Sequence, residues 1–131
     1  LGADYEFFQR PEWASLEATY DLRVADERTF DPAFLYEAVS RGEVDAIAAF
    51  SSDGRIAAYD LVTLDDPKEA LPPYDAILLA DDALPAGARA ALAPLLGGVT
   101  LERMREANRK VDEDGASPDQ AAAWLDGQIG G

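Results

Sequence analysis

The feature that most constrains this chain is an apolar run at residues 44–50, "VDAIAAF", that follows a capped helical segment. Asp31 and Pro32 suit a helix N-terminus, because an Asp side chain accepts from free N–H groups and proline fits the first turn. Gly42 suits the end of that helix. A near-continuous apolar run after a helix is typical of a strand buried in a parallel sheet. With a strand predicted at 23–29, the pattern predicts an α/β fold with a right-handed crossover.

The rest of the chain also alternates between predicted strands and helices. Thr100 predicts the start of one late helix, and Ser117 with Gln120 forms a capping box at the start of another. The further predicted strands are a short one at 1–8 that runs into a loop, one at 57–64 and one at 75–80. The further predicted helices cover 11–20, 86–96, 101–111 and 118–129.

Charge and composition restrict the classes of function. A chain of 131 residues is long enough to form the hydrophobic core of one domain, and it contains no cysteine and no histidine. A net charge of −15 would repel phosphate backbones and anionic lipid surfaces, so no nucleic-acid partner is expected. Without histidine and cysteine, the chain lacks the commonest general base, the thiolate nucleophile and the preferred ligands of transition metals. No apolar stretch approaches the roughly 20 residues of a membrane helix.

Candidate catalytic and metal-binding groups are weak. Ser51 and Ser52 have no histidine to act as a base, and Glu6 with Glu12 is an isolated carboxylate pair. The run at 112–115, "DEDG", brings its glycine too early for a calcium-binding loop and lacks the closing glutamate. We therefore predict no enzyme activity, no metal and no cofactor.

The aromatic residues carry more information, because several follow predicted strands or lie in loops. In an α/β sheet, ligands bind beyond the carboxyl ends of the strands. Each ring taken alone is better explained by a place in the core. With Arg10 and Asp53 close by in the sequence, their placement favours a pocket. These aromatic residues are Phe7, Phe8, Phe50, Tyr59 and Tyr74.

At these residues the sequence resembles a known family. Four stretches resemble, in order and spacing, the C-terminal half of the substrate-binding proteins of osmoprotectant ABC importers, the glycine betaine, carnitine and choline family related to OpuC and ProX. The stretches are "YEFFQRPEW", "YEAVSRGEVDAIAAFSSDGRIAAYDLVTLDD", "PPYDA" and "NRKVDEDGASPDQAAAWL". The resemblance implies a type II periplasmic-binding-protein-like fold, three-layer αβα, present as an incomplete two-lobe protein. Residues 1–56 would form part of lobe 2 on the ligand-cleft side, and residues 57–131 the return crossing and a C-terminal part of lobe 1.

The resemblance also implies a ligand site. Arg10 matches the arginine that such proteins offer to a ligand carboxylate, with Glu6 and Phe7 lining the same loop. Phe50 and Tyr74 match two walls of an aromatic cage, although many relatives carry tyrosine where this chain has Phe50. A trimethylammonium group has no N–H to donate, so ring faces hold it, at about 0.5–2 kcal/mol per contact.

The turn that ends the apolar run belongs to the same implied site. Ser51, Ser52 and Asp53 would lie at the cleft edge, just after Phe50 and before the chain recrosses to the other lobe. The family's first half supplies the remaining cage groups, so we expect weak binding by this chain alone. We also expect either self-association or a partly open structure, because part of its apolar surface would lack a cover.

The function implied is that of a non-enzymatic solute-binding component that delivers a quaternary ammonium ligand to an ABC transporter permease outside the cytoplasm. The chain begins at Leu1 without methionine or a signal segment, and we expect it to be part of a longer protein. Two other functions stay open: a regulatory domain that senses a ligand on the same fold, and a small hydrolase or isomerase, which the missing histidine and cysteine disfavour.

Overall fold

The computed structural model describes residues 1–129, which form two compact units. Unit 1 contains Leu1–Phe50 and Tyr59–Pro73, and unit 2 contains Ser51–Ala58 and the chain from Tyr74 onward. The chain thus passes between the units after residues 50, 58 and 73. The assignment of 1–56 and 57–131 to the lobes of a larger protein stays a prediction.

The regular elements are short strands near the N-terminus and helices spread along the chain. The strands are β1 (Gly2–Ala3) and β2 (Arg28–Thr29). The helices are α1 (Pro11–Tyr20), α2 (Pro32–Ser40), α3 (Arg55–Ala58), α4 (Ala86–Leu92), α5 (Leu101–Asp112) and α6 (Pro118–Ile129), with 3-10 turns at Phe7–Gln9 and Ala93–Leu95. No helix within residues 1–129 combines the length and the apolar character that crossing a membrane requires.

The sheet of unit 1 is parallel and centred on β1. Gly2 lies opposite Arg28 of β2, and on its other side it forms a parallel bridge to Ile47. The Gly2 N–H donates to the Ala46 carbonyl at 2.8 Å, and the Ala48 N–H donates to the Gly2 carbonyl at 2.9 Å. Helix α2 connects β2 to this third extended segment, so the predicted order of strand, helix and extended segment around α2 is present. The predicted buried strand at 44–50 is wrong in extent, because among the described residues the run pairs only through the single bridge at Ile47 and only Val44 of it is buried.

The helices of unit 1 begin and end where local signals predict. The Asp31 carboxylate accepts a 2.9 Å hydrogen bond from the Ala33 N–H at the start of α2, and Gly42 adopts a left-handed φ of +71° after its end. Pro11 occupies the first turn of α1. The buried core of unit 1 draws on both helices and the neighbouring extended segments. It includes Ala3, Trp13, Leu35, Tyr36, Ala38, Val44 and Ala70.

In unit 2, α5 and α6 pack through small and aliphatic side chains. Ala107, Ala121 and Leu125 are buried, and Val111 and Trp124 pack against them. The predicted caps are confirmed. The Thr100 hydroxyl accepts from the Arg103 N–H at 3.3 Å, and the reciprocal bonds of the 117–120 capping box measure 2.8 and 3.2 Å.

Several predicted strands are wrong or shorter than expected. Residues 75–80 and 61–64 form no regular structure, and residues 57–58 belong to α3. The Asp53 carboxylate accepts from the Arg55 N–H at 3.0 Å, which starts a helical turn where a strand was predicted. Leu79 is 89% exposed and pairs with no strand within the described chain, so its apolar run lacks the neighbour that a sheet requires. The predicted strand at 1–8 shortens to β1, and the predicted helix at 86–96 continues only as the 3-10 turn after α4.

Candidate ligand-binding site

The first group of predicted site residues lies in the loop before α1. The Asp4 carboxylate accepts from the N–H groups of Glu6 and Phe7, both at 2.9 Å, and this turn opens the short 3-10 helix. The Arg10 guanidinium donates to the Glu6 carboxylate at 2.9 Å, and Pro11 then begins α1. The Arg10 side chain is 37% exposed, whereas Glu6 is 79% exposed. The structure therefore brings Glu6 and Arg10 together and leaves part of the guanidinium in contact with solvent.

Phe7 packs in a cluster of three aromatic rings. Its ring centroid lies 5.7 Å from that of Phe8 and 5.9 Å from that of Trp13, and Phe8 and Trp13 meet edge to face at 5.5 Å. Trp13 is buried and its indole N–H donates to the Glu27 carboxylate at 3.0 Å. Such ring pairs add about 0.5–1.5 kcal/mol each beyond burial. The cluster thus holds the Arg10 loop onto the first turn of α1.

The two predicted cage residues are both strongly exposed. Phe50 belongs to unit 1 and is 65% exposed, and Tyr74 belongs to unit 2 and is 61% exposed. An apolar ring left in water forgoes the favourable free energy of burial, about 25 cal/mol per Å² of apolar surface. Their roles as cage walls stay predictions.

The turn after Phe50 is held by helix α5 within unit 2. The carbonyl of Ser51 accepts a 2.9 Å hydrogen bond from the Arg105 Nε–H, and the carbonyl of Ser52 accepts a 2.8 Å bond from the Asn108 side-chain amide. Gly54 follows, and a Cβ added there would lie 2.2 Å from the backbone nitrogen of Arg109. The turn therefore meets the helix backbone directly, which only glycine permits.

Asp53 is paired within its own turn. Its carboxylate accepts a 3.0 Å hydrogen bond from the Arg55 Nε–H and a 2.8 Å hydrogen bond from Arg55 Nη2. Together they form a bidentate ion pair. The two side chains are 17% and 25% exposed, so the pair is mostly shielded from water. The negative charge of Asp53 is balanced by Arg55 in this geometry.

A second set of polar contacts ties residues 66–71 to α1 in unit 1. The Tyr20 hydroxyl donates to the Asp66 carboxylate and accepts from the Lys68 N–H at 3.0 Å, while the Leu71 N–H donates to Asp66 at 2.8 Å. The hydrogen bond from Tyr20, followed by the backbone donors, lowers the pKa of Asp66. Desolvation, followed by the bond to Asp66, raises the pKa of Tyr20. The segment that leads to Tyr74 is thereby anchored on the helix that follows Arg10.

Sequence reasoning missed the residues that hold the predicted ones in place. Arg55 follows Asp53 by two positions, and this spacing could have indicated the ion pair. Arg105 and Asn108 lie 54 and 56 residues from their partners, and no local signal predicts such contacts. Among residues 1–129, no cluster of three or more Asp or Glu side chains is arranged to hold a metal ion.

An apolar groove in unit 2 lies apart from the predicted site residues. It has a volume of about 440 Å³ between α5, α6 and the segment before α5, and apolar side chains such as Leu95, Met104 and Leu125 line most of it. None of the predicted site residues lines this groove. Its apolar surface is available for contact with another molecule.

Comparison with known proteins identifies relatives of this chain. The Carnitine transport binding protein OpuCC of Listeria monocytogenes serotype 1/2a (strain 10403S), and the protein of the same name from Listeria monocytogenes, are each 28% identical over 116 residues. These matches cover 85% of this chain and 38% of each relative. A crystal structure described as a glycine betaine/carnitine/choline ABC transporter superimposes with a TM-score of 0.85 at 27% identity. That match covers 95% of this chain and 47% of the other, so this chain spans less than half the length of these relatives.

The structural match confirms the predicted fold class, a type II periplasmic-binding-protein-like α/β fold of which the chain contains a part. The family model described as "Substrate binding domain of ABC-type glycine betaine transport system" matches residues 1–126, which is nearly the whole chain. The resemblance to osmoprotectant substrate-binding proteins is therefore confirmed. The chain belongs to the family of substrate-binding domains of ABC-type glycine betaine transport systems.

Proposed function

We propose that this chain is a solute-binding segment of an ABC importer that takes up a quaternary ammonium osmoprotectant such as glycine betaine, choline or carnitine. The observation that carries the proposal is the geometry at Arg10. In a chain of this family, a guanidinium lies at the start of α1, partly exposed and oriented by Glu6. A guanidinium fork suits a carboxylate, which glycine betaine and carnitine carry.

The cationic end of the ligand is proposed to lie against Phe50 and Tyr74. More than half of the surface of each residue is exposed, which supports a role for both in contacting a ligand. A trimethylammonium group donates no hydrogen bonds, so the attraction to aromatic faces provides the recognition. A phenylalanine at position 50 still attracts the cation, although it cannot hydrogen-bond as a tyrosine would.

Glu6 and Phe7 are proposed to support the carboxylate end. Glu6 orients the guanidinium through the 2.9 Å ion pair, and Phe7 fixes the loop through its ring contacts. Ser51, Ser52 and Asp53 are proposed to form the polar edge of the site. Because Arg55 balances the charge of Asp53, this edge contributes hydrogen-bonding groups rather than an unpaired anion.

The biological role proposed is delivery of the ligand to a transporter permease on the outer side of the cytoplasmic membrane. The family consists of transport substrate-binding domains and is not a class of enzymes, which supports a non-enzymatic role. Residues 1–56 are proposed to belong to lobe 2 of the parent fold and residues 57–131 to the return crossing and lobe 1. The chain spans 38% of its curated relatives, so we expect it to bind betaine more weakly than a complete two-lobed site would.

The test is a matrix of variants against two ligands. Each variant is titrated with glycine betaine and with choline; the variants are Arg10→Ala, Phe50→Ala and Tyr74→Ala. Binding to this chain is followed by NMR. Binding to a full-length family member that carries the matched substitutions is measured by calorimetry. Losing a buried charge-assisted pair costs about 2–5 kcal/mol, so Arg10→Ala should weaken betaine strongly and choline little. The aromatic changes should weaken both ligands.

Two control variants separate recognition from general effects. Arg23→Ala removes an arginine that is 85% exposed and pairs with Asp21, and Phe34→Ala removes a ring that is 60% exposed on α2. Both should leave the affinities unchanged. If Arg10→Ala weakens both ligands equally and the aromatic changes weaken neither, Arg10 is structural and the cage assignment is wrong.

A further inference from the structure

Helix α5 contacts three of the four residues of the turn at 51–54. Arg105 and Asn108 are three positions apart and therefore lie on the same face of the helix. Their side chains donate to two successive carbonyls, those of Ser51 and Ser52, at 2.9 and 2.8 Å. The backbone of Gly54 packs against the backbone of the same helix at residues 108–109.

These contacts restrict the backbone of the turn. The Ser51 carbonyl belongs to the peptide plane shared with Ser52, and the Ser52 carbonyl belongs to the plane shared with Asp53. A peptide unit is rigid and planar, so a hydrogen bond to its carbonyl also sets the direction of its N–H. The two side chains of α5 thus set the orientation of two consecutive peptide units, and the absence of a side chain at Gly54 lets the turn lie directly against the helix backbone.

We infer that Arg105 and Asn108 are positioning residues for ligand binding, which act by holding the turn at Ser51 and Ser52 in its binding geometry. The inference rests on the proposed function, in which this turn forms the polar edge of the site. The Asp53–Arg55 ion pair adds a third constraint from within the turn. A site whose polar groups are oriented in advance loses less conformational entropy when the ligand binds.

The expected effect on affinity follows from the size of a single hydrogen bond. A net contribution of one such bond corresponds to about a threefold to tenfold change in an equilibrium constant. We therefore expect Asn108→Ala and Arg105→Met each to weaken glycine betaine binding about threefold to tenfold. Arg105→Lys retains a donor on a flexible stem and should recover part of that loss.

The experiment uses the whole 131-residue chain labelled with ¹³C and ¹⁵N. The carbonyl ¹³C shifts of Ser51 and Ser52 report their hydrogen bonds directly, and titration with glycine betaine in the same samples gives the affinity. The matched control is Arg103→Met, since Arg103 lies on the same helix but donates to the Gly98 carbonyl at 2.7 Å. This control should change neither the carbonyl shifts of the turn nor the affinity. Amide spectra show whether each variant is folded.

The outcomes separate this inference from the proposed function. The inference is supported if the carbonyl ¹³C signal of Ser52 shifts in Asn108→Ala and that of Ser51 shifts in Arg105→Met. Both variants should also bind betaine more weakly, and Arg105→Lys should recover part of the loss. Shifted carbonyls with unchanged affinity overturn the inference and leave the proposed function standing. The inference is also overturned if the carbonyl ¹³C chemical shifts of Ser51 and Ser52 are unchanged in both variants. If the unmodified chain shows no betaine-dependent change at Arg10, Phe50 or Tyr74, the proposed function fails and the inference fails with it.

Discussion

Position 54 has no room for a side chain, and this explains why a glycine follows Asp53. A Cβ there would lie 2.2 Å from the backbone nitrogen of Arg109, so the turn or the helix would have to move. We predict that Gly54→Ala destabilises the chain by about 1–3 kcal/mol, the usual cost of overpacking. Urea unfolding followed by circular dichroism measures this change.

Gly87 provides the matched control for that substitution. It lies inside α4, and nothing would come within 4 Å of an added Cβ. Gly87→Ala should therefore be neutral or stabilise by up to about 1 kcal/mol, because alanine favours a helix. Equal stability of the Gly54→Ala and Gly87→Ala variants would show that the turn does not pack tightly on α5.

Asp66 should make part of the stability of unit 1 dependent on pH. Its pKa is lowered in the folded state, first by the Tyr20 hydroxyl and then by backbone N–H groups. A carboxyl whose folded pKa is depressed stabilises the fold above its unfolded pKa of about 3.9, and this contribution disappears as the pH falls through the folded value. We predict that Asp66→Asn is less stable than the unmodified chain at pH 7, and that the difference shrinks below about pH 4.

Chemical denaturation at several pH values measures that difference. Asp65→Asn is the control, since it removes a neighbouring carboxylate that is exposed to solvent. It should have a small effect at pH 7. A difference for Asp66→Asn that stays constant from neutral to acid pH would mean that the contact with Tyr20 does not involve the ionised carboxylate.

At the scale of elements, helix starts could be predicted because their signals are local. The capping box at 117–120 forms as expected, with the Gln120 N–H donating to Ser117 at 3.2 Å and the Ser117 N–H donating to Gln120 at 2.8 Å. Strands could not be predicted as well, because a strand needs a partner elsewhere in the chain. The apolar pattern at 75–80 predicts a strand, but no neighbouring strand pairs with it within the described residues.

The capping box gives a direct test at this scale. Ser117→Ala removes the acceptor for the Gln120 N–H, and we predict a loss of about 1 kcal/mol in the free energy of unfolding. Ser117→Asp should retain most of the stability, since aspartate accepts the same hydrogen bond. Urea titrations of the three proteins, followed by far-UV circular dichroism, provide the comparison. An alanine variant as stable as the aspartate variant would show that α6 does not depend on this cap.

At the scale of the whole molecule, the family could be recognised from the sequence, but the supporting contacts of the site could not. The motif around Asp53, Gly54 and Arg55 points to the family without showing that Asp53 is paired with Arg55. The contacts of α5 with the turn join residues more than 50 positions apart and depend on how the chain folds back. Predicting the site residues and predicting what holds them are therefore separate problems.

The exposed apolar surface leads to a prediction about assembly. Val62 and Leu64 are each 85% exposed, Ile77 is 72% exposed and Leu79 is 89% exposed, and unit 2 also has the apolar groove of about 440 Å³. Exposed apolar surface favours association, whereas the net charge of −15 opposes it through repulsion between copies. Salt screens that repulsion over a distance of about 8–10 Å at physiological strength. We therefore predict that the chain self-associates and that association increases with salt.

Sedimentation velocity at several protein concentrations, in low salt and in about 0.5 M salt, tests this balance of forces. Leu64→Ser and Leu79→Ser should each reduce association, because both remove exposed apolar area without disturbing a buried side chain. Thr63→Ser, an exposed position beside Leu64, serves as the control and should not change it. Binding of a hydrophobic dye should fall in parallel with association in the leucine variants. A monodisperse monomer at every salt concentration that binds no dye would contradict the prediction, since apolar surface of this extent would then have to be covered within the chain itself.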